Sequence, residues 1–129
     1  MTLCSGAFDG LHAGHVRYLQ AARRLAPHER LVVAIAPDAY IEREKQRHPY
    51  WPQADRAHTV FALDCVNDVR LQTGLSVAQE ILDSKPHRFV KGRDWLDKLP
   101  DDVLAACQQV GCEVVFVNTP GRHVREARR

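Results

Sequence analysis

The sequence predicts one α/β domain built on a doubly wound, mostly parallel sheet of about five strands. Three observations carry that expectation. Apolar runs of strand length alternate with segments whose apolar residues recur at helical spacing. The run LVVAIA at 31–36 is apolar without alternation, as a central parallel strand covered on both faces must be. The first run breaks into a glycine-punctuated turn that opens directly on a helix, the start of a Rossmann-like βαβ unit. A length of 129 residues suits a single core, so 1–129 is read as one domain.

Each element has its own signal. Residues 2–8 are apolar enough for a buried strand, and the helix starting near Gly14 places Val16, Leu19, Ala22 and Leu25 on one face, with Arg17, Gln20, Arg23 and Arg24 between them. After the 31–36 strand, APDAYIEREKQRHPYWP is polar and closes with two prolines, which predicts a short helix followed by an exposed loop. Residues 53–65 read as a helix burying Ala57, Val60 and Phe61, and 66–71 as the third strand. Ser76 and Gln79 have capping-box spacing ahead of Val77, Ala78, Ile81 and Leu82. Residues 88–91 form a short strand. Pro100, Asp101 and Asp102 begin a helix with the stripe Val103, Leu104, Cys107 and Val110, Gly111 ends it, and 113–117 is the last strand.

Composition excludes several classes. A formal charge of +2 argues for neither nucleic acid nor membrane as a partner, and no apolar run is long enough to span a bilayer. Met1 leads directly into the first strand without a signal-peptide pattern, so a cytoplasmic location is expected. Cys4, Cys65, Cys107 and Cys112 show no CxxC pairing and read as small buried hydrophobes in the reduced state. The basic end GRHVREARR suits a solvated helix or a phosphate-facing helix start better than a nucleic-acid tail.

The chemistry concentrates in GAFDGLHAGHVRYL at 6–19. A helix start leaves backbone N–H groups without intrahelical partners and carries the positive end of the dipole, so phosphate is its natural guest. Gly6, Gly10 and Gly14 let the main chain turn and let a bulky anion approach it. His12 and His15 can add imidazole N–H donors to that site. Such a turn needs no nucleophile of its own: when a substrate oxygen attacks phosphorus, the protein positions it and stabilises charge on the phosphoryl oxygens. A zinc reading is weaker, because no Cys or carboxylate set at familiar spacing completes the two histidines.

The pattern Gly6-x-Phe8-Asp9-x-x-His12-x-Gly14-His15 resembles the HxGH signature of the cytidylyltransferase-like nucleotidyltransferases. The resemblance extends over nearly the whole chain and is looser between 66 and 87. It implies transfer of a nucleotidyl group from CTP or ATP to a small phosphorylated polyol or sugar, with release of pyrophosphate. His12 and His15 would stabilise the phosphorus centre, and Gly6, Ala7, Phe8, Asp9 and Gly14 would border the nucleotide, Asp9 also reaching the acceptor. Mg²⁺ would arrive with the triphosphate through its oxygens rather than in a protein cage. A homodimer is the family expectation, with neither nucleic acid nor membrane as a partner.

Two further stretches carry the resemblance. DAYIEREKQRHPYWPQADR at 38–56 is similar to the segment after the second strand of glycerol-3-phosphate cytidylyltransferases, which use CTP. It implies that Lys45 neutralises phosphate charge and that Arg56 meets the acceptor. FVKGRDW at 89–95 resembles the heptose-type enzymes, which use ATP, although its Asp-Trp pair also suits the glycerol-phosphate group. It implies nucleotide contacts from Lys91, Gly92, Asp94 and Trp95. On the sequence alone CTP is slightly favoured. Thr119-Pro120-Gly121-Arg122 lines up with a phosphate-binding P-G-R, implying contacts from Thr119, Gly121 and Arg122. There the family continues with Ser-Thr-Thr and this chain with His123, Val124 and Arg125. That departure leaves a catalytically impaired nucleotide-binding or regulatory module as the alternative.

Overall fold

Leu3 and Cys4 leave the first strand in opposite directions, and that period-two alternation sorts the core into two layers. A computed structural model describes residues 1–118. In chain order the elements are β1 (Thr2–Gly6), α1 (Ala13–Leu25), β2 (Leu31–Ile35), α2 (Asp38–Lys45), α3 (Gln53–Phe61), β3 (Asp68–Leu71), α4 (Ala78–Ser84), β4 (Arg88–Gly92), a single 3-10 turn (Arg93–Trp95), α5 (Asp101–Val110) and β5 (Glu113–Val117). The five strands form one sheet in the order β3-β2-β1-β4-β5, every pairing parallel.

On one face Cys4, Val33, Ile35 and Val90 meet Tyr18 and Leu19 of α1 and Val60 of α3. On the other, Leu3, Val32, Ala34 and Phe89 meet Ile81 of α4 and Val103 and Cys107 of α5. All five residues of β2 are buried, so its unbroken apolar run is the consequence of two covered faces. Each fully buried large side chain of these layers contributes about 1.5–3 kcal/mol.

The chain runs outward from β1 through β2 to β3, then returns to lay β4 on the other flank of β1, with Cys4 opposite Val90. The order of strands therefore reverses between β1 and β4. At such a switch point the loops leaving the two carboxyl ends diverge and open a crevice for ligand.

Several sequence expectations are corrected in detail. Leu25 (44% exposed), Phe61 (53%) and Leu104 (45%) lie outside the core, and Tyr18, Arg56 and Ala106 take the buried positions instead. In helices of three turns or fewer, two neighbouring stripes fit the same pattern, and packing chooses between them. The capping box before α4 does not form: Ala78 N–H donates to Ser76 Oγ at 3.1 Å, while Gln79 Nε2 turns to Asp83. β3 starts at Asp68 rather than 66, because the Asn67 side chain accepts from Leu31 N–H and from Arg23 where the ladder would begin. Gly111 ends α5 in the left-handed region, φ 69°, as its position implied. All four thiols are free; Cys4, Cys107 and Cys112 are buried and Cys65 half-buried. Among the described residues no helix is long and apolar enough to cross a membrane.

Candidate active site

The turn after β1 is shaped by a few local constraints. Phe8 adopts φ 52°, the left-handed region, at a cost of about 1–2 kcal/mol for a residue with a Cβ. Burial of its ring, 4% exposed, offsets that cost. The ring lies over Gly6, where an added Cβ would stand 2.9 Å from Phe8 Cε2. It also meets His15, with ring centroids 5.2 Å apart. Gly10, at φ 100°, lets the chain bend back toward α1.

His12 is the N-cap of α1. Gly14 N–H donates to His12 Nδ1 at 3.0 Å, and His12 N–H donates to His15 Nδ1 at 3.2 Å. The two imidazoles thus build a reciprocal cap of a kind usually made by Ser and Glu, and their rings stack with centroids 3.9 Å apart. The arrangement sets the tautomers. A ring that accepts at Nδ1 carries its proton, when neutral, on Nε2. Each histidine therefore offers an Nε2–H donor, and both rings line the pocket. Burial, then the neighbouring His12 and Lys45, push His15 down to about 4, so it is neutral at physiological pH. The first turn of α1 carries no acidic side chain, which leaves the positive end of its dipole to an external anion.

The pocket is a cavity of about 1310 Å³ at the carboxyl ends of the strands. Lys45, the last residue of α2, is exposed and stands on its wall. Across the crevice, Lys91 of β4 is buried at 8% exposure, with Nζ donating to Ser5 O at 3.1 Å and, more weakly, to Ser5 Oγ at 3.4 Å. Its ammonium lies 4.6 Å from the centre of the Trp95 ring. Burial lowers it to about 8, against the opposing influence of Cys4 and Asp94. Gly92 caps the 3-10 turn that carries Asp94 and Trp95, and all three line the pocket.

The structure thus brings together Gly6, Ala7, Phe8, Asp9, His12, Gly14 and His15 with Lys45 and with Lys91, Gly92, Asp94 and Trp95 around one cavity. Thr119, Gly121 and Arg122 lie outside the described residues. One expectation is corrected. Arg56 is 1% exposed and does not line the cavity. Its guanidinium donates to Trp51 O, Ala7 O and Ala36 O and pairs with Asp38 at 2.7 Å, tying three segments together rather than facing an acceptor. Asp9 borders the cavity, yet its side chain is 4% exposed and its oxygens are occupied by Arg47, Tyr50 N–H and Trp51 N–H.

Sequence reasoning missed Ser5 and Tyr18. Tyr18 O–H donates to Val90 O at 2.5 Å and its oxygen accepts from Ser5 N–H at 3.3 Å, bridging β1 and β4 beneath the cavity. The signal was present, since Gly14, Tyr18 and Ala22 recur at helical spacing. Among the described residues no three His, Cys, Asp or Glu side chains come together to hold a metal. Because both Nδ1 atoms accept from backbone N–H groups, the neutral rings present Nε2–H donors rather than Nε2 lone pairs to the cavity. These residues supply no cage for magnesium.

Comparison with known proteins points the same way. The sequence model of the family described as cytidylyltransferase-like matches residues 3–123. The chain is 41% identical over 92 residues to the bifunctional protein HldE of Trichlorobacter lovleyi, covering 70% of this chain and 18% of that protein. It is 44% identical over 96 residues to the bifunctional protein HldE of Halorhodospira halophila, covering 74% and 20%. The chain therefore spans about a fifth of the length of these curated relatives. Among solved structures, a lipopolysaccharide core biosynthesis protein from Thermoplasma volcanium GSS1 superposes with a TM-score of 0.76 over 92% of this chain and 95% of that one, at 23% identity, which speaks to the fold.

Proposed function

We propose that this chain, which belongs to the cytidylyltransferase-like family of nucleotidyltransferases, transfers a nucleotidyl group from a nucleoside triphosphate to a phosphorylated sugar and releases pyrophosphate. The observation that carries the reading is the reciprocal histidine cap, which holds two Nε2–H donors at the start of a helix without acidic residues in its first turn. The acceptor's phosphate oxygen attacks the α-phosphorus in line as the bond to pyrophosphate breaks. His12 and His15 donate to the non-bridging oxygens, whose charge grows toward the transition state. Lys45, on a long exposed arm, neutralises the triphosphate. Gly6, Ala7, Phe8 and Gly14 border the phosphates. Lys91, Gly92, Asp94 and Trp95 border the nucleoside from across the crevice, and Thr119, Gly121 and Arg122 are assigned to the same nucleotide. Magnesium travels with the triphosphate as part of that substrate, neutralising its oxygens. A cytoplasmic homodimer completes the proposal.

ATP is the donor we favour over CTP. Lys91, Gly92, Asp94 and Trp95 of the heptose-type stretch FVKGRDW line the cavity, and that stretch is the one whose resemblance implies ATP. The sequence alone puts CTP slightly ahead, and the comparison of donors by assay decides between the two. Pyrophosphate release from ATP, CTP, GTP and UTP with Mg²⁺, each paired with sugar and polyol phosphates, tests the assignment. Release with ATP and a sugar phosphate is expected. Nucleotide binding without release in any pairing would replace the enzyme by a nucleotide-binding module.

A further inference from the structure

Asp9 is a member of the signature turn and borders the cavity, and its carboxylate is hydrogen-bonded to the loop that follows α2. Three donors from that loop converge on it: Arg47 Nη1 at 2.8 Å and Tyr50 N–H at 2.9 Å on Oδ2, and Trp51 N–H at 3.1 Å on Oδ1. Its side chain is 4% exposed. The arrangement is closed from the loop side as well. Arg47 Nη1 also donates to His48 O at 2.9 Å, and the guanidinium lies 3.9 Å from the centre of the Tyr50 ring. Burial opposes the charge on Asp9, but the hydrogen bonds from Arg47, Tyr50 and Trp51 outweigh it and hold the carboxyl below the usual carboxylate range.

The geometry matters because of what precedes the loop. α2 ends at Lys45, and Gln46 turns the chain through the left-handed region at φ 55°. Lys45 is thus one residue from a strained reversal and two from Arg47. Without an anchor, a short polar loop with these exposed side chains would sample many conformations, and Lys45 would move with it. Asp9, four residues from the N-terminus of α1, is fixed by the same turn that fixes His12 and His15.

We propose that Asp9 is a positioning residue that clasps loop 46–52 and thereby holds Lys45 opposite the histidine pair. The clasp itself is independent of the reaction; its effect on turnover rests on the proposed nucleotidyl transfer. Three of the acceptor positions of the Asp9 carboxylate are taken by two backbone N–H groups and one guanidinium of the loop. The clasp makes the cationic wall of the pocket rigid relative to its donor wall, which reduces the reorganisation needed as charge develops.

Two readouts test this on the full chain. Hydrogen exchange over 46–53 reads the clasp directly and needs no catalysis: Asp9→Ala should accelerate exchange there at least about tenfold, and Arg47→Ala, which leaves the two backbone donors in place, should do so to a smaller extent. The milder variant keeps the test alive if Asp9→Ala fails to fold. Unchanged exchange in both variants would overturn the clasp. Steady-state kinetics with ATP and a sugar phosphate then reads the link to Lys45. Asp9→Ala should lower kcat by about tenfold or more with little change in KM for the triphosphate, and should lower it no further in a Lys45→Ala background. Additive losses, or a loss confined to KM for the acceptor, would return Asp9 to substrate binding. A wild-type chain with no transferase activity would end the proposed reaction, while the exchange result would still decide the clasp.

Discussion

Two turns at the carboxyl edge of the sheet, one after β1 and one after β4, hold their polar groups in opposite ways. The first is assembled locally: His12, Gly14 and His15 satisfy one another within four residues, and the neutral state of His15 follows from partial burial beside His12 and Lys45. The second is assembled across the sheet. Lys91 finds its acceptors on Ser5, 86 residues away in sequence, and its charge persists against almost complete burial. A short-range motif can therefore satisfy its polar groups from near neighbours, whereas a buried ammonium is carried at the expense of stability.

The largest expected effect would break the first turn chemically while sparing the fold. His15→Ala removes an Nε2–H donor and should lower kcat by about 10²–10³-fold, measured as pyrophosphate release, with a melting temperature changed by only a few degrees. Near wild-type turnover would separate the turn from the reaction.

Lys91→Met sharpens the contrast from the other side. Lys91 is lowered from its ordinary value of 10.5 to about 8, so below pH 8 the folded state carries an ammonium that the unfolded state hydrates more favourably. The shift corresponds to about 2–4 kcal/mol. As pH rises from 8 to 10.5 the folded form has lost its proton while the unfolded form still holds one, and wild-type stability increases. Lys91→Met should therefore raise the melting temperature by roughly 5–10 °C below pH 8, with the advantage narrowing toward pH 10.5, and turnover should fall. A variant less stable than wild type at pH 7 would show that the Ser5 and Trp95 contacts outweigh desolvation.

Gly6→Ala is the mildest probe. The new methyl displaces the Phe8 ring, which touches His15, so a cost of about 1–2 kcal/mol by denaturant unfolding should accompany a several-fold loss of kcat. Loss of stability with full activity would mean that Phe8 does not orient the histidine.

How much of this was legible follows from distance along the chain. The helix start at His12, the buried run of β2 and the glycine end of α5 are written in windows of a few residues, where steric and capping rules act. Which apolar residue of a short helix faces inward was not, as Leu25, Phe61 and Leu104 demonstrate. Nor were the partners of the charged side chains. Asp9 and Arg56 read as ligand-binding groups on the resemblance alone, because the partners that take up their hydrogen bonds lie as far as 38 and 49 residues away.

The sequence by itself determined the α/β alternation, the cytidylyltransferase-like turn and the two histidines, because hydrophobic period and local hydrogen bonding depend on near neighbours. Only the tertiary structure decided that Asp9 meets Arg47, Tyr50 and Trp51, that Arg56 and Lys91 are buried, and that Lys45 lines one cavity with the histidines. Those outcomes depend on desolvation and on polar partners, which exist only once the sheet has brought β1, α2 and β4 to a common edge.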